Sequence, residues 1–452
     1  MDEKIIRLAN LQESGKDRST SEDAMALEFA SRHVHELRYV APWGRWLAYD
    51  GTRWARDETL HVFDRARLIC RETAAGCEKA NGIASAKTVV AVEKLARADR
   101  RLAATTAQWD AVPWCLTTGD DSGEAATFDL RTGIERPCDP LDFITKGTAC
   151  MAAPRGTPHP LWSKFLNRVT NGDADLQAFL QRYVGYCLTG ITSEHAFVFA
   201  YGTGSNGKST FINTVANIFG DYATIASMAT FIATKVEQHP TDLAKLMGAR
   251  LVVAMETQKG RRWDEIKIKA LTGGDKITAR FMRQDFFDYT PAFKLLIAGN
   301  NKPRLTTVDE AMRRRLLLVP FTVRISPAER DPRLPAKLKA EWPAILRWAI
   351  DGCLEWQRIG LNPPSSVQDA TDAYFHDQDT VGQWLEDCTK NDGELAFTRT
   401  AELFASWKGW CEACNIKPGS EMAFSTALAE RGFKKKRNGA GQQGFRALAV
   451  KP

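Results

Sequence analysis

The residues with the clearest chemistry stand together at Gly202-Thr203-Gly204-Ser205-Asn206-Gly207-Lys208-Ser209-Thr210. A strand-like run, Ala196 to Tyr201, precedes them, and the apolar-periodic FINTVANIF follows. Glycines at such spacing let the backbone curl so that successive N–H groups point inward, and a helix starting there aims its positive dipole end at the same place. A loop of this kind binds polyphosphate through its main chain. Within it, Lys208 is expected to reach the β- and γ-phosphates of ATP, and the Ser209 hydroxyl to supply a ligand to Mg²⁺. The bland alternative is a chance glycine-rich turn; the full GxxxxGKS spacing between a strand and a helix argues against it.

Three more apolar runs are bordered by residues that can act on a phosphoryl group, two at their ends and one at its start. Arg250-Leu-Val-Val-Ala-Met255 ends at Glu256, the candidate for orienting and deprotonating an attacking water. A surface glutamate at a strand end is the competing reading. Phe293-Lys-Leu-Leu-Ile-Ala298 runs into Gly299-Asn300, and the Asn300 amide can donate and accept at once, as a water-holding or γ-phosphate-sensing group must. Asparagine also commonly terminates strands. Arg313, Arg314 and Arg315 precede the apolar LLLVPF. Guanidinium suits a transferring phosphoryl group because its planar fork stays charged and bidentate. For at least one of the three, a solvated or salt-bridged turn is the better reading.

The elements that must hold these groups follow from pattern and composition. At 452 residues, and about 100 to 200 residues per domain, two to four domains are expected. Hydrophobic residues at 44% and charged residues at 26% describe an ordinary globular chain, and no apolar run approaches the roughly 18 residues of a membrane span. The N-terminus lacks an apolar signal region, so a cytoplasmic protein with reduced cysteines is expected. Cys411 and Cys414 have CxxC spacing without a second pair or a nearby histidine, which reads as a helical face, not a zinc site. The net charge of +6 permits a polyanion partner without demanding one.

Along the chain, Ala24 to Glu36 has helical periodicity, and RYVAPWGRWLAYDGTRWARD alternates aromatics around an Asp50-Gly51 turn. Helices are expected within residues 64–111, then short strands through Phe128 to Gly133 and through CDPLDFITKG. Residues 153–160, APRGTPHP, read as a linker, with helices from Leu161 to Thr189 beyond it. From His195 short strands alternate with helices, the order of a parallel α/β sheet. Prolines punctuate a helical stretch after Ile325, and a further compact unit begins near residue 395.

The order of motifs resembles superfamily 3 helicases of the phage and plasmid primase-helicase branch, related to the poxvirus primase-helicase. The resemblance rests on the P-loop, the strand ending in Glu256, the hairpin-like segment before Asn300, and the Arg-Arg-Arg-strand-Pro-Phe run. RYVAPWGRWLAYDGTRW and FDLRTGIERPCDPLDFITKG look like that branch's N-terminal helicase-associated domain. The resemblance implies an AAA+-like P-loop ATPase core at residues 195–330. Around it would lie an N-terminal α/β domain at 22–152, a helical collar at 160–194, a helical extension at 331–390 and a winged-helix-like domain at 395–452. It further implies a hexameric ring that binds ATP between subunits and moves on single-stranded or forked DNA, usually 3′ to 5′. Gly202, Gly204, Ser205, Asn206, Gly207, Lys208, Ser209 and Thr210 would hold the nucleotide, Ser209 and Glu256 the Mg²⁺. Glu256 would be the catalytic carboxylate, Asn300 the sensor, and Arg315 the finger reaching the next subunit's ATP, with Arg314 the second choice.

The segment Lys276 to Tyr289 has two strand-like arms around a polar tip, and in that family the hairpin projects into the channel. Arg283 fits the grip on the DNA backbone, with Gln284, Arg280 and Lys276 sharing it. Many relatives carry two acids at the second motif, whereas Met255 and Gln258 leave Glu256 alone at its strand end here, which shifts metal coordination toward Ser209 and water. The helicase-associated domain starts almost at once, so no primase domain is expected, and priming would fall to a separately encoded partner. At the C-terminus, two helices followed by basic FKKKRNGAGQQGFRALAV suit a winged helix with Lys434, Lys435, Lys436 and Arg437 in its wing. A protein-docking cap is the alternative there. For the whole chain, the alternatives to a replicative helicase are an initiator or remodelling ATPase without processive unwinding, and a nucleotide-dependent switch in mobile-element maintenance or defence.

Overall fold

The structure is a computed structural model that describes residues 20–75, 77–120, 122–234, 240–255, 259–283, 285–305, 308–390, 393 and 396–451. Helix α1 (Glu22–Arg32) is capped by the Ser21 hydroxyl, which accepts from the Ala24 N–H at 3.1 Å. An antiparallel sheet of β1 (Leu37–Val40), β2 (Arg45–Tyr49) and β3 (Trp54–Arg56) follows. The aromatic hairpin turns at Asp50, whose Oδ1 accepts from the Thr52 and Arg53 N–H groups, both at 2.8 Å. Helices α2 (His61–Ala74) and α3 (Ala86–Ala96) close a core around Phe29, Trp46, Ile69 and Val92. A second antiparallel sheet joins β4 (Cys115–Gly119), β5 (Ala125–Asp129) and β6 (Ile134–Arg136). The segment CDPLDFITKG, expected to hold a strand, forms only a short 3-10 turn at Pro140–Asp142. Proline at 140 fixes a turn-compatible φ there and removes the N–H a ladder would use.

Residues 153–159 contain no regular element, yet the apolar core does not stop at them. Leu116 and Phe128 lie in one buried cluster with Trp162, Phe211 and Ile345. Helices α4 (Pro160–Val169) and α5 (Ala174–Leu188) lead into the central sheet. There β7 (Phe197–Tyr201), α6 (Lys208–Phe219), β8 (Ala223–Ile225), β9 (Leu251–Met255) and α7 (Glu265–Gly273) alternate. A small hairpin of β10 (Ile277–Ala279) and β11 (Phe287–Tyr289) interrupts the pattern, before β12 (Lys294–Gly299), α8 (Glu310–Arg313) and β13 (Leu316–Pro320). The strands are ordered β13-β7-β12-β9-β8, each parallel to its neighbours. Alternation along each strand feeds two cores: Val198, Leu296 and Val319 face one, and Phe197, Phe199, Ile297 and Leu318 the other. Helices α9 (Trp342–Ile359) and α10 (Ser365–Gln378) pack on opposite sides, through Ile345 and Phe375 respectively.

The C-terminal unit consists of α11 (Thr380–Cys388), β14 (Thr389–Lys390), β15 (Phe397–Arg399), α12 (Thr400–Ala413) and α13 (Glu421–Glu430), followed by β16 (Lys435–Arg437), β17 (Gln443–Arg446) and β18 (Ala449–Val450). Trp384, Trp407, Phe424 and Phe445 form its core. Cys411 belongs to that core, where burial pushes its thiol up to about 11, while Cys414 is exposed. Among the described residues no helix is long and apolar enough to cross a membrane.

Helix α5 is fastened to the sheet by polar side chains. The Tyr183 hydroxyl donates to Leu295 O at 2.6 Å and accepts from Val198 N at 3.3 Å, joining the helix to β12 and β7. At the carbonyl end of α5, Arg250 Nη1 donates to Leu188 O at 2.7 Å, and Lys294 Nζ donates to Thr189 O. The Arg250 guanidinium there meets the negative end of the helix dipole. Lys294 is 2% exposed, and burial pulls its ammonium down to about 7 from 10.5. Between those two values the unfolded chain binds a proton that the folded chain does not. Stability therefore rises with pH across that window and falls as pH drops toward 7. From pH 7 to pH 9 the wild type should gain about 2 kcal/mol of unfolding free energy over Lys294→Met, measured by urea titration at each pH. Equal pH slopes in the two proteins would refute this titration.

Candidate nucleotide site at the carboxyl edge of the sheet

The loop Gly202 to Gly207 joins the end of β7 to the start of α6, as a phosphate cradle requires. Gly204, Ser205 and Gly207 have φ of +96°, +52° and +84°, so the chain passes through the left-handed region three times in four residues. Gly202 has no space for a side chain: a Cβ would lie 2.0 Å from Phe321 O and 2.2 Å from Asn206 Nδ2. At Gly207 a Cβ would lie 2.4 Å from Val169 Cγ1, because α4 presses on the loop from outside the sheet.

Lys208 is buried at the first position of α6, and its ammonium donates three ways. The acceptors are Gly202 O at 2.8 Å, Asn206 Oδ1 at 3.0 Å and Asn300 Oδ1 at 3.2 Å. Burial holds its pKa below the ordinary lysine value. Two residues singled out from separate motifs, Lys208 and Asn300, thus meet across the carboxyl ends of adjacent strands β7 and β12. Asn206 is buried as well, and its Nδ2 donates to Phe321 O at 2.8 Å, just past β13. Ser209 is exposed and Thr210 half-buried in the first turn of α6. Strand β9 brings the chain to the same edge at Met255, paired with Ala298 of β12. Glu256 itself lies outside the described residues, as does Gln284.

The arginine triplet occupies the opposite edge. Leu316 pairs with Phe197 and Pro320 with Tyr201, so Arg315 precedes the start of β13 while the P-loop follows the end of β7. Phe197 N donates to Arg315 O at 2.7 Å, which fixes that position. The three side chains differ. Arg313 pairs with Asp372 at 3.4 Å and covers the Phe375 ring. Arg315 is half-buried, its Nη1 donating to Ala311 O at 2.8 Å, and burial followed by repulsion from Arg314 lowers its pKa. Arg314 is exposed, and its guanidinium has no hydrogen-bond partner among the described residues.

The hairpin expected over residues 276–289 is present, though its ladder is short, pairing Ile277 to Ala279 with Tyr289 to Phe287. Lys276 and Arg283 are exposed, Arg283 at φ +59°. Arg280 is half-buried, with its guanidinium 4.6 Å from the Phe286 ring centroid. At the C-terminus, Lys435, Lys436 and Arg437 form the exposed strand β16, preceded by exposed Lys434. The β16–β17 turn is closed by Asn438 Oδ1, which accepts from Ala440 N at 3.0 Å and Gln442 N at 2.9 Å. Sequence reasoning missed the segment after β13, which supplies Phe321 O to Asn206 and a guanidinium, Arg330, to Ser205 Oγ at 2.8 Å. No local pattern marks a contact that spans 125 residues.

Residues 26–171 match the family described as "D5 N terminal like", and residues 200–315 match "Family of unknown function (DUF5906)". The chain is 24% identical over 327 residues to "Putative helicase 022R" of Frog virus 3 (isolate Goorha), covering 66% of this chain and 31% of that protein. It is 26% identical over 204 residues to "Putative helicase L207/L206" of Acanthamoeba polyphaga mimivirus, covering 44% of this chain and 21% of the relative. The chain therefore spans less than a third of the length of the curated relatives it matches. Among solved structures, the apo NrS-1 C terminal region (305-718) superposes with a TM-score of 0.53 at 8% identity, covering 95% of this chain and 100% of that one. That likeness is one of fold. Together the family match and the viral relatives support a helicase-like family.

Gly202→Ala should shift Asn206 and Phe321 apart, cost about 1–3 kcal/mol in urea unfolding and lower nucleotide affinity. An unchanged unfolding midpoint would show that the loop is not packed as described.

Proposed function

We propose that the protein is an ATP-driven DNA helicase or translocase of the superfamily 3 type, working as a ring of copies in the replication of a phage, plasmid or related element. The supporting observation is the division of the phosphoryl-transfer groups between the two edges of one sheet. Lys208 and Asn300 converge at the carboxyl edge, while Arg313 to Arg315 stand at the amino edge. Four strand steps, roughly 13 Å of β-structure, separate those edges, which exceeds the reach of an arginine side chain. An arginine finger from this triplet can therefore act only on a nucleotide held by another copy. Arg314 suits that task better than Arg315, because its guanidinium is exposed and uncommitted.

On this reading ATP with Mg²⁺ binds at Gly202 to Thr210, Ser209 and Glu256 serve the metal, Glu256 activates water and Asn300 senses the γ-phosphate. The hairpin carrying Lys276, Arg280 and Arg283 grips DNA in the channel of a hexamer, with movement 3′ to 5′. Residues 395–452 act as a winged helix whose wing, Lys434 to Arg437, contacts phosphates. The remaining divisions are an N-terminal domain at 22–152, a collar at 160–194, the motor at 195–330 and an extension at 331–390.

The wild type should displace a strand from forked DNA with ATP, and Lys208→Ala should abolish both displacement and hydrolysis. Arg314→Ala should lower kcat by about a thousandfold. Mixing Arg314→Ala with Lys208→Ala copies should restore part of the ATPase, since a mixed interface can pair an intact loop with an intact arginine. Full-speed turnover by a strictly monomeric preparation would sink the ring reading. DNA-stimulated hydrolysis without displacement would instead assign an initiator or remodelling ATPase.

A further inference from the structure

The chain leaving β13 runs along the P-loop. Asn206 Nδ2 donates to Phe321 O at 2.8 Å, Ile325 N donates to Ser205 O at 2.7 Å, and Arg330 Nη2 donates to Ser205 Oγ at 2.8 Å. The segment is anchored on its far side by Arg168 of α4, which donates to Arg324 O at 3.0 Å and pairs with Glu329 at 2.9 Å. Residues 321–330 thus form a strap whose final residue rests on the phosphate cradle.

The charge on Arg330 is placed unusually for a merely structural brace. Its sequence neighbour Glu329 is turned away, bound to Arg168 and to Ser326 N at 2.9 Å. Among the described residues no carboxylate pairs with Arg330. A guanidinium has five donors, and a serine hydroxyl satisfies one of them. What remains is an exposed, uncompensated cation within one hydrogen bond of the loop whose main chain encloses the phosphates. Phosphate oxygens are better acceptors for it than a neutral hydroxyl, since both partners are then charged.

We propose that Arg330 is a same-chain ligand for the terminal phosphate of the bound nucleotide, exchanging Ser205 Oγ for a phosphate oxygen when a triphosphate occupies the loop. The proposal rests on the reading of Gly202 to Thr210 as the nucleotide site. It differs from the arginine finger in origin: the strap belongs to the same copy and lies at the carboxyl edge. It also gives the segment after β13 a task, since strap and loop would tighten together on a triphosphate and loosen on a diphosphate.

The test is calorimetric titration of the full chain with Mg²⁺ and either AMP-PNP, a non-hydrolysable triphosphate, or ADP. Arg330→Ala should weaken AMP-PNP binding by about tenfold or more, as expected for a lost charge-assisted hydrogen bond, and ADP binding much less. Arg330→Lys should recover part of the loss, and the nucleotide-free melting temperature should stay at the wild-type value. Equal weakening for both nucleotides, no weakening for either, or a drop in nucleotide-free melting temperature would each overturn the proposal. Lys208→Ala separates the two levels. If the wild type binds AMP-PNP, Lys208→Ala does not, and Arg330→Ala binds as the wild type, this inference alone fails. If the wild type binds neither nucleotide, the site reading fails and takes this inference with it.

Discussion

A buried ammonium must find oxygen, and that requirement organises the carboxyl edge of the sheet. Lys208 meets Gly202 O, Asn206 Oδ1 and Asn300 Oδ1, and leaving it short of acceptors would carry the full desolvation cost of a buried charge. Each acceptor depends on another element. Asn300 depends on β12, and Asn206 is held by Phe321 O beyond β13. These are the two strands that flank β7 in the order β13-β7-β12. One lysine therefore ties together the ends of three adjacent strands. The order of the sheet and the shape of the loop are parts of a single arrangement. On the proposed reading, arriving phosphate oxygens would replace these neutral acceptors with charged ones.

The amino edge shows the same logic with opposite sign. Helix α5 ends with carbonyls that nothing in the helix can satisfy, and Arg250 and Lys294, from just before β9 and at the start of β12, donate to them. The negative end of one helix is thus neutralised at this edge, while α6 presents its positive end at the other. Tyr183 fastens the middle of α5 to β12 and β7. A helix held at its end and at its midpoint can set the spacing of the strands that carry the site. This explains why costly groups such as a 2% exposed lysine are placed so far from the phosphate cradle.

What could be read from the sequence was local. The strand–loop–helix around Lys208, the strand ending at Met255, the turn at Asp50 and the short hairpin ending at Tyr289 all carry their signals within a few residues, and the backbone has each of them. What escaped was long-range. Residues 153–159 hold no regular element, yet Leu116 and Phe128 pack in the same cluster as Trp162 and Ile345. Apolar residues declare that they will be buried, not against what. The same limit concealed Arg330 and blurred the arginine triplet. Three identical residues in a row give no hint that one is paired with Asp372, one is turned back to Ala311 and one is free to reach outward.

Parallel strands give a sheet two chemically different edges, and this chain places acceptors of negative charge on both. At one edge the cations are Lys208 and Arg330, at the other Arg313 to Arg315. No bend of a packed five-stranded sheet brings those edges together, because side chains fill both of its faces. If both sets act on one triphosphate, as proposed, two copies must meet head to tail, the amino edge of one against the carboxyl edge of the next. Such a contact uses different surfaces on each partner, and repeated contacts of that type close into a ring or run on as a filament. Each added copy would complete one pocket and offer half of another, so the chemistry of a single site would depend on the geometry of the whole assembly.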